Sequence, residues 1–235
     1  MRLTNITFTG IDAKTDLVAL HDIQQQYPFV EFGVLTSYHW YENGNRYLDP
    51  YLINRLQYSG LNLSLHICGG AAYDAAHGYW TNIDKLTWNN LVLFKRVQLN
   101  IAERKDNPDV VAESPVLGQK VIIQQRNAKE VDLFKNTLSH HFQISEAFSV
   151  LLDASGGRGI DTSIDILDGN YEVGYAGGIN PDNVAEKLSY LMKNANTPFW
   201  IDMESGVRTD DWFDVDKVRK VLEICSSVLI SADCL

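Results

Sequence analysis

The sequence predicts an α/β protein, a single closed (β/α)8 barrel that takes in residues 1–235. Short apolar strands alternate with helical segments along the whole chain, and strand starts recur every 25–35 residues or so, roughly the size of one strand–helix unit. Two glycine-marked turns follow the last two strands. An open doubly wound sheet is the alternative, but it leaves two edge strands, and no strand carries the proline or charge that protects an edge. Two small domains are a weaker alternative for 235 residues.

Side-chain alternation and glycine or proline boundaries define the strands. In the first strand, Ile6 and Phe8 share one face and Thr7 and Thr9 share the other. The seventh and eighth strands begin at Val173 and Phe199 and lead into the glycine turns. The six earlier strands are predicted at 5–10, 30–36, 61–68, 96–101, 120–125 and 148–153.

Helices are predicted where apolar residues recur at helical spacing. Leu17, Leu20 and Ile23 form such a stripe in the helix 16–27, and Asp49-Pro50 opens a helix that Gly60 ends. The Ala-rich stretch after Gly69-Gly70 is expected to be irregular, and the segment 103–115 gives no clear helix. Further helices are predicted at 130–142, 182–193 and 215–227, with a short one within 162–167.

Composition excludes several classes of function. The formal net charge is -10, the pI is about 5.0 and no basic stripe occurs, so nucleic acid is not an expected partner. The three cysteines are scattered, which predicts neither a disulfide framework nor a metal site, and no cofactor motif is found. With no signal peptide and no apolar run of about 18 residues, we expect a cytoplasmic protein without a membrane partner. A monomer and a homodimer both remain open.

Polar side chains collect on the axial faces of the strands, near their C-terminal ends. A barrel interior is normally filled by branched apolar residues, and burying unpaired polar groups costs about 1–3 kcal/mol each. These groups either satisfy one another or face a ligand, and their position at the end where barrel enzymes hold their sites favours a ligand. The axial set comprises Thr7, Thr9, Ser64, His66, Cys68, Gln98, Asn100, Leu151, Asp153, Trp200, Asp202 and Glu204.

The two glycine turns predict a phosphate site. Gly177-Gly178 and Ser205-Gly206 follow consecutive strands, where glycine allows the backbone to approach a ligand and helix N-termini offer free amides. Plain turn chemistry explains either turn alone, but the tandem pair at the end of a repeating chain favours a small phosphorylated metabolite as ligand.

Three further residues are candidates for binding or catalysis. Asp153 ends an apolar strand before a glycine-rich loop and is a candidate general acid, the alternative being a loop-capping aspartate. Cys68 is a candidate base or nucleophile if its thiolate is stabilised, and an inert core cysteine otherwise. Arg46 is a candidate clamp for a carboxylate, or a solvated arginine. His66 is interpreted as a core histidine, and His140, His141, Cys225 and Cys234 receive no function.

The chain resembles the phosphoribosylanthranilate isomerases, which are (β/α)8 barrels of tryptophan biosynthesis. The segment 151–159 resembles the family's sixth-strand motif, the segment 176–184 resembles its AGGL-NPENV phosphate turn, and 202–207 resembles its D-x-SSGVE turn. The segment 46–50 resembles the one whose arginine binds the anthranilate carboxylate. The resemblance implies that Asp153 protonates the ribose ring oxygen, that Arg46 binds substrate, and that Gly177, Gly178, Ser205 and Gly206 hold phosphate.

Two positions depart from the family pattern. The family has a K-x-C-G motif on the first strand, and its cysteine is the general base, whereas this chain has Thr9 at that place. A threonine hydroxyl forms no accessible anion near neutral pH, so Thr9 cannot remove the proton unaided. We expect Thr9 to bind substrate and Cys68, in an Ile-Cys-Gly triplet of the third strand, to supply the base; the alternative is that this triplet is an accidental likeness and the base is missing. Glu204 replaces the first serine of the SSGV turn, and it would repel a phosphate unless it points away.

The expected function is therefore an enzyme that isomerises a phosphorylated sugar-like metabolite by an aldose–ketose, Amadori-type reaction. The alternative is a non-catalytic barrel of the same descent that binds a phosphorylated ligand. A Schiff-base aldolase or lyase is a weaker alternative, because Lys120 begins its strand at the end away from the expected site.

Overall fold

Eight parallel strands close into a barrel in the computed structural model of the chain, which describes residues 3–39, 44–87, 89–101, 118–132, 148–169 and 171–233. The closed sheet confirms the predicted fold class. Each strand pairs with the next in sequence, and the last pairs with the first. The strands are β1 (Leu3–Thr9), β2 (Val30–Thr36), β3 (Leu63–Cys68), β4 (Arg96–Asn100), β5 (Lys120–Gln125), β6 (Phe148–Asp153), β7 (Val173–Ala176) and β8 (Phe199–Met203).

Helices connect the strands on the outside of the barrel. They are α1 (Leu17–Gln26), α2 (Pro50–Arg55), α3 (Gly69–Ala76), α4 (Thr81–Leu86), α5 (Val184–Asn194) and α6 (Val215–Asp233). Short 3-10 helices lie at Gly44–Arg46, Leu56–Tyr58, Leu91–Leu93 and Ser205–Val207, and residues 128–132 are helical. The rest of the helix predicted at 130–142, the segment 103–115, and His140, His141 and Cys234 lie outside the described residues.

The first helix illustrates how local sequence determines an element. The carboxylate of Asp16 accepts hydrogen bonds from the amides of Val18 and Ala19, which caps the N-terminus of α1. Leu20 and Ile23 are fully buried against the barrel, whereas Leu17 is 37% exposed, so the apolar stripe is narrower than the spacing indicates.

Two segments differ from the sequence prediction. The Ala-rich stretch is the helix α3, because alanine favours a helix and the side chains of Ala71, Ala72, Ala75 and Ala76 pack in the core. No helix forms at 162–167. Ile164 and Ile166, two residues apart, both pack against the core there, and that spacing places side chains on one side of an extended chain.

A buried ion pair lies inside the barrel, near the N-terminal ends of β2 and β4. The guanidinium of Arg96 donates to both carboxylate oxygens of Glu31, at 2.9 and 2.6 Å, and to the hydroxyl of Thr7 at 3.1 Å. An apolar cluster of Ile122, Leu151 and Trp200 occupies the interior as well, and the Trp200 ring lies 4.4 Å from the Arg96 guanidinium. These side chains fill the part of the barrel interior that lies below the C-terminal ends of the strands.

A short hairpin fixes the connection that follows β8. Its strands β9 (Arg208–Thr209) and β10 (Trp212–Phe213) pair antiparallel, and the buried Arg208 donates to the carboxylate of Asp12 at 2.9 Å and to the carbonyl of Gly10 at 2.5 Å. The loop after β1 and the turn after β8 are thus tied together. Among the helices of the described ranges, none has the length and apolarity that crossing a membrane requires.

Candidate active site

A cavity of about 550 Å³ opens at the C-terminal ends of the strands. This volume lies within the range of sites for small molecules, roughly 300–1,000 Å³. The lining includes all eight residues singled out from the sequence: Thr9, Arg46, Cys68, Asp153, Gly177, Gly178, Ser205 and Gly206. The fold therefore gathers into one cavity residues that span almost 200 positions of the sequence, although their chemical roles stay predictions.

The two glycine turns pack directly against each other at one side of the cavity. A Cβ on Gly206 would overlap the carbonyl oxygen of Ile179, and a Cβ on Gly178 would overlap the backbone of Asp161. Gly177 and Gly178 have φ angles of 114° and 67°, which glycine adopts without strain. Within the described ranges, the amides of Gly177 and Gly178 donate no hydrogen bond. Those of Ser205 and Gly206 lie in the first turn of a 3-10 helix, where amides have no partner within the helix.

Asp153 ends β6 and organises the loop that follows it. Its Oδ1 accepts from the amide of Ser155 at 3.0 Å and from the hydroxyl of the same residue at 2.7 Å. Its Oδ2 accepts from the side-chain amide of Gln124 at 2.8 Å and from the amide of Gly157 at 2.5 Å. Asp153 therefore caps the loop and also lines the cavity, while its role as a general acid stays a prediction.

The surroundings of Cys68 do not favour a thiolate. Burial raises the pKa of the Cys68 thiol to about 11, against the lowering effect of hydrogen bonds from Tyr47 and Asn100. The side-chain amide of Asn100 lies 3.2 Å from the sulfur. At neutral pH Cys68 is therefore a thiol, which argues against the base role expected from the sequence. Cys225, in α6, is fully buried, as expected of a structural cysteine.

Thr9 binds a buried carboxylate. Its hydroxyl donates to Oδ1 of Asp202 at 2.7 Å, and both side chains line the cavity. Burial raises the pKa of Asp202 to about 7, and the Thr9 hydrogen bond acts in the opposite direction. His66 Nδ1 lies 3.9 Å from Asp202 Oδ2, but burial lowers the pKa of His66 to about 4, so the imidazole is neutral at pH 7. His66 also contacts the hydroxyl of Ser64 at 3.0 Å, in agreement with a core histidine.

Arg46 reaches the cavity but already has partners. Its Nη1 donates to Oε1 of Glu204 at 2.8 Å and to the hydroxyl of Ser205 at 3.2 Å, and its Nε donates to Oδ1 of Asp211 at 2.8 Å. Glu204 lines the cavity instead of turning away from it. Its charge is opposed by Arg46, while desolvation raises the pKa of its carboxyl.

Sequence reasoning missed several residues of the lining. Gln124 holds Asp153, Tyr47 contacts Cys68, and Arg126 borders the loop after β6. Gln124 was identifiable, because it follows the axial Ile122 by two residues and therefore faces the barrel axis. The sequence predicted that Asp202 lies on the axial face. Its hydrogen bond to Thr9 and its raised pKa, which make it a candidate for proton transfer, are visible only in the structure.

The model of the family N-(5'-phosphoribosyl)anthranilate (PRA) isomerase matches residues 96–224, more than half of the chain. A curated relative, the N-(5'-phosphoribosyl)anthranilate isomerase of Sulfolobus acidocaldarius, is 37% identical over 84 residues. That alignment covers 34% of this chain and 39% of the relative, so it spans well under half of the relative's length.

Solved structures share the whole fold at low identity. The N-(5'-phosphoribosyl)anthranilate isomerase of Pyrococcus furiosus superposes with a TM-score of 0.56 at 18% identity, covering 95% of this chain and 99% of that one. A phosphoribosyl anthranilate isomerase in complex with reduced 1-(o-carboxyphenylamino)-1-deoxyribulose 5-phosphate gives 0.53 at 16% identity, with 96% and 100% covered. At such identity the likeness supports the fold alone.

Proposed function

Because the chain belongs to the N-(5'-phosphoribosyl)anthranilate isomerase family, we propose that it is an enzyme that converts a phosphorylated aldose derivative into the corresponding ketose. The observation that carries the proposal is the shared cavity: the candidate acid, the two glycine turns and the candidate arginine all line it. A reaction of this kind needs a phosphate grip, a proton donor and a proton acceptor around one substrate.

The phosphate grip is assigned to the two turns. Gly177, Gly178, Ser205 and Gly206 line the cavity, and the contact between the turns brings these residues to one side of it. Their amides are the proposed phosphate donors. Backbone amides can bind a phosphate without a cationic side chain, and Arg46, one of the arginines that line the cavity, is already paired with carboxylates.

The proton donor is assigned to Asp153. The four hydrogen bonds from the β5 side chain and the β6 loop hold its carboxyl in a fixed orientation at the cavity wall. A positioned acid typically contributes about 10²–10⁴-fold to the rate. In the protonated form it would donate to the ring oxygen of the sugar as the ring opens.

Phosphoribosylanthranilate is the first substrate to test. Its fluorescence disappears on isomerisation, so turnover is followed directly, and complementation of a strain lacking the isomerase provides an independent readout. We expect turnover by the wild type and a loss of about 10²-fold or more for Asp153→Ala. Asp16→Ala serves as the matched control, because Asp16 caps α1 away from the cavity. Full turnover by the Asp153 variant would refute the assignment of the acid.

A non-catalytic phosphate-binding barrel is the second candidate function. It is favoured by the ion pairs of Arg46, because Glu204 and Asp211 occupy two donors that a substrate carboxylate would need. The two functions separate in one comparison: thermal stabilisation by sugar phosphates without turnover of any of them supports the binding protein, and turnover supports the enzyme.

A further inference from the structure

We propose that Asp202 is the base that removes the substrate proton in this chain, and that Thr9 is the residue that positions it. The inference rests on the isomerase function proposed above. It places the proton acceptor on β8, whereas the donor Asp153 lies on β6, so that acceptor and donor lie on strands separated by β7.

The geometry leaves one oxygen of Asp202 available for a substrate. Oδ1 accepts the hydrogen bond of Thr9 at 2.7 Å, and Oδ2 accepts no hydrogen bond from the described residues. The side chain is 6% exposed, and it lines the cavity. Thr9 therefore fixes the carboxylate through one oxygen, while the other stays free to accept a proton.

Four charged or titratable groups act on Asp202 from the neighbouring elements. Glu204, which directly follows β8, and Glu31 on β2 disfavour the ionisation of Asp202, and Arg96 on β4 favours it. His66 on β3 faces Oδ2 at 3.9 Å but carries no charge at neutral pH, because burial lowers its pKa to about 4. Together with burial, these groups bring the pKa of Asp202 to about 7, near the value that suits a general base at neutral pH.

The other candidates are poorer bases. The Thr9 hydroxyl would have to become an alkoxide, and Cys68 is held as a thiol by its raised pKa. His66 is a weak base because of its lowered pKa. Asp202 is thus a better base than Thr9, Cys68 or His66, and Glu204, the other carboxylate nearby, is paired with Arg46.

The proton transfer balances without a further reactant. In an aldose–ketose isomerisation, the C2–H bond of the open-chain substrate breaks and the proton moves to Asp202 Oδ2. The electron pair of that bond forms the C1=C2 double bond, while the π pair of the C1=N bond in the ring-opened, protonated imine moves to nitrogen. The enol then becomes the ketone: its hydroxyl proton passes to the Asp153 carboxylate left by ring opening, and C1 takes up the proton held by Asp202. Asp202 returns to the carboxylate and Asp153 to the acid.

The test uses Asp202→Asn on the full chain with phosphoribosylanthranilate as substrate. Asparagine keeps the size of the side chain and still accepts the Thr9 hydrogen bond, but it is not a base. We expect kcat to fall by about 10²–10⁴-fold, while stabilisation by inorganic phosphate is unchanged. Asp16→Asn, which makes the same change at the cap of α1, is the control and should match the wild type. Turnover by Asp202→Asn within tenfold of an active wild type overturns this inference alone, whereas an inactive wild type overturns the isomerase function and the base together.

Thr9→Val provides a second variant in case Asp202→Asn does not fold. It removes the hydrogen bond that lowers the pKa of Asp202, so the acidic limb of the pH profile of kcat/KM should move to higher pH. A purely structural role of Thr9 would lower kcat/KM equally at every pH. An unmoved limb therefore contradicts the positioning role and the base assignment.

Discussion

Arg46 donates a hydrogen bond to Glu204 across 2.8 Å, although the two residues are 158 positions apart in the sequence. The family resemblance implies that Arg46 binds the carboxylate of the substrate, and the family has a serine at the position of Glu204. In this chain Arg46 is instead paired with Glu204, a carboxylate of the protein itself. The pair therefore bears directly on which substrates the cavity accepts, and it gives the first prediction.

Glu204→Ser should improve the binding of substrates that carry a carboxylate. The change frees Nη1 of Arg46, whose side chain is 31% exposed, and removes a negative charge from the cavity. A partly exposed ion pair contributes about 1 kcal/mol at most, which corresponds to about a fivefold lower KM for phosphoribosylanthranilate. Asp211→Asn, which breaks the more exposed of the two ion pairs, is the comparison. An unchanged or higher KM for Glu204→Ser would contradict the proposal that Glu204 competes with the substrate carboxylate for Arg46.

The pH dependence of the unfolding free energy should report the raised pKa of Asp202. Its folded-state pKa of about 7 lies above the value in an unfolded chain, about 3.9, so the folded state binds the proton more tightly. The unfolding free energy should therefore fall as the pH rises from about 4 through 7. Urea unfolding at pH 5 and pH 8 should show this fall in the wild type and a smaller fall in Asp202→Asn. Equal falls in both proteins would mean that Asp202 ionises normally.

Gly178→Ala should destabilise the protein more than Gly78→Ala. Both glycines have positive φ, 67° and 81°, so both variants carry the backbone strain. Only at Gly178 does a Cβ overlap the backbone of the β6 loop, whereas a Cβ on Gly78 meets nothing within 4 Å. We expect Gly178→Ala to cost about 1–3 kcal/mol more in urea unfolding and to lose stabilisation by phosphate. Equal costs would show that the turn after β7 is not packed against the loop after β6.

Cys68 should react slowly with thiol reagents at neutral pH. Its pKa of about 11 leaves few thiolates at pH 7.5, and the thiolate is the reactive form. Alkylation by iodoacetamide, followed at the Cys68 peptide by mass spectrometry, should accelerate as the pH rises towards 10. Cys68→Ala should retain turnover within about tenfold, because no proton transfer is assigned to it. A rate that is already constant above pH 8 would restore Cys68 as a candidate base.

Much of the barrel could be predicted from the sequence, because strand alternation is a local property. The bounds of β2, β5 and β6 agree with the prediction, and Thr9 and Asp202 were placed on the axial face. The helix α3 was missed because Gly69-Gly70 marks a break, although Gly69 here is the first residue of the helix.

The contacts of the site could not be predicted in the same way. The hydrogen bond between Thr9 and Asp202 joins residues 193 positions apart, and the pairing of Arg46 with Glu204 joins the connection after β2 to the turn after β8. Alternation along a strand predicts which face a side chain occupies, but it does not predict which residue of another strand or loop that side chain contacts. The buried pair of Glu31 and Arg96 was missed for the same reason.

The most direct test of the account is a crystal structure of the protein soaked with inorganic phosphate. We expect a phosphate at the meeting point of the two glycine turns, with its oxygens within about 3.2 Å of the amide nitrogens of Gly178 and Gly206. Phosphate bound elsewhere in the cavity, or no bound phosphate with those amides facing solvent, would contradict the phosphate site on which the proposed function depends.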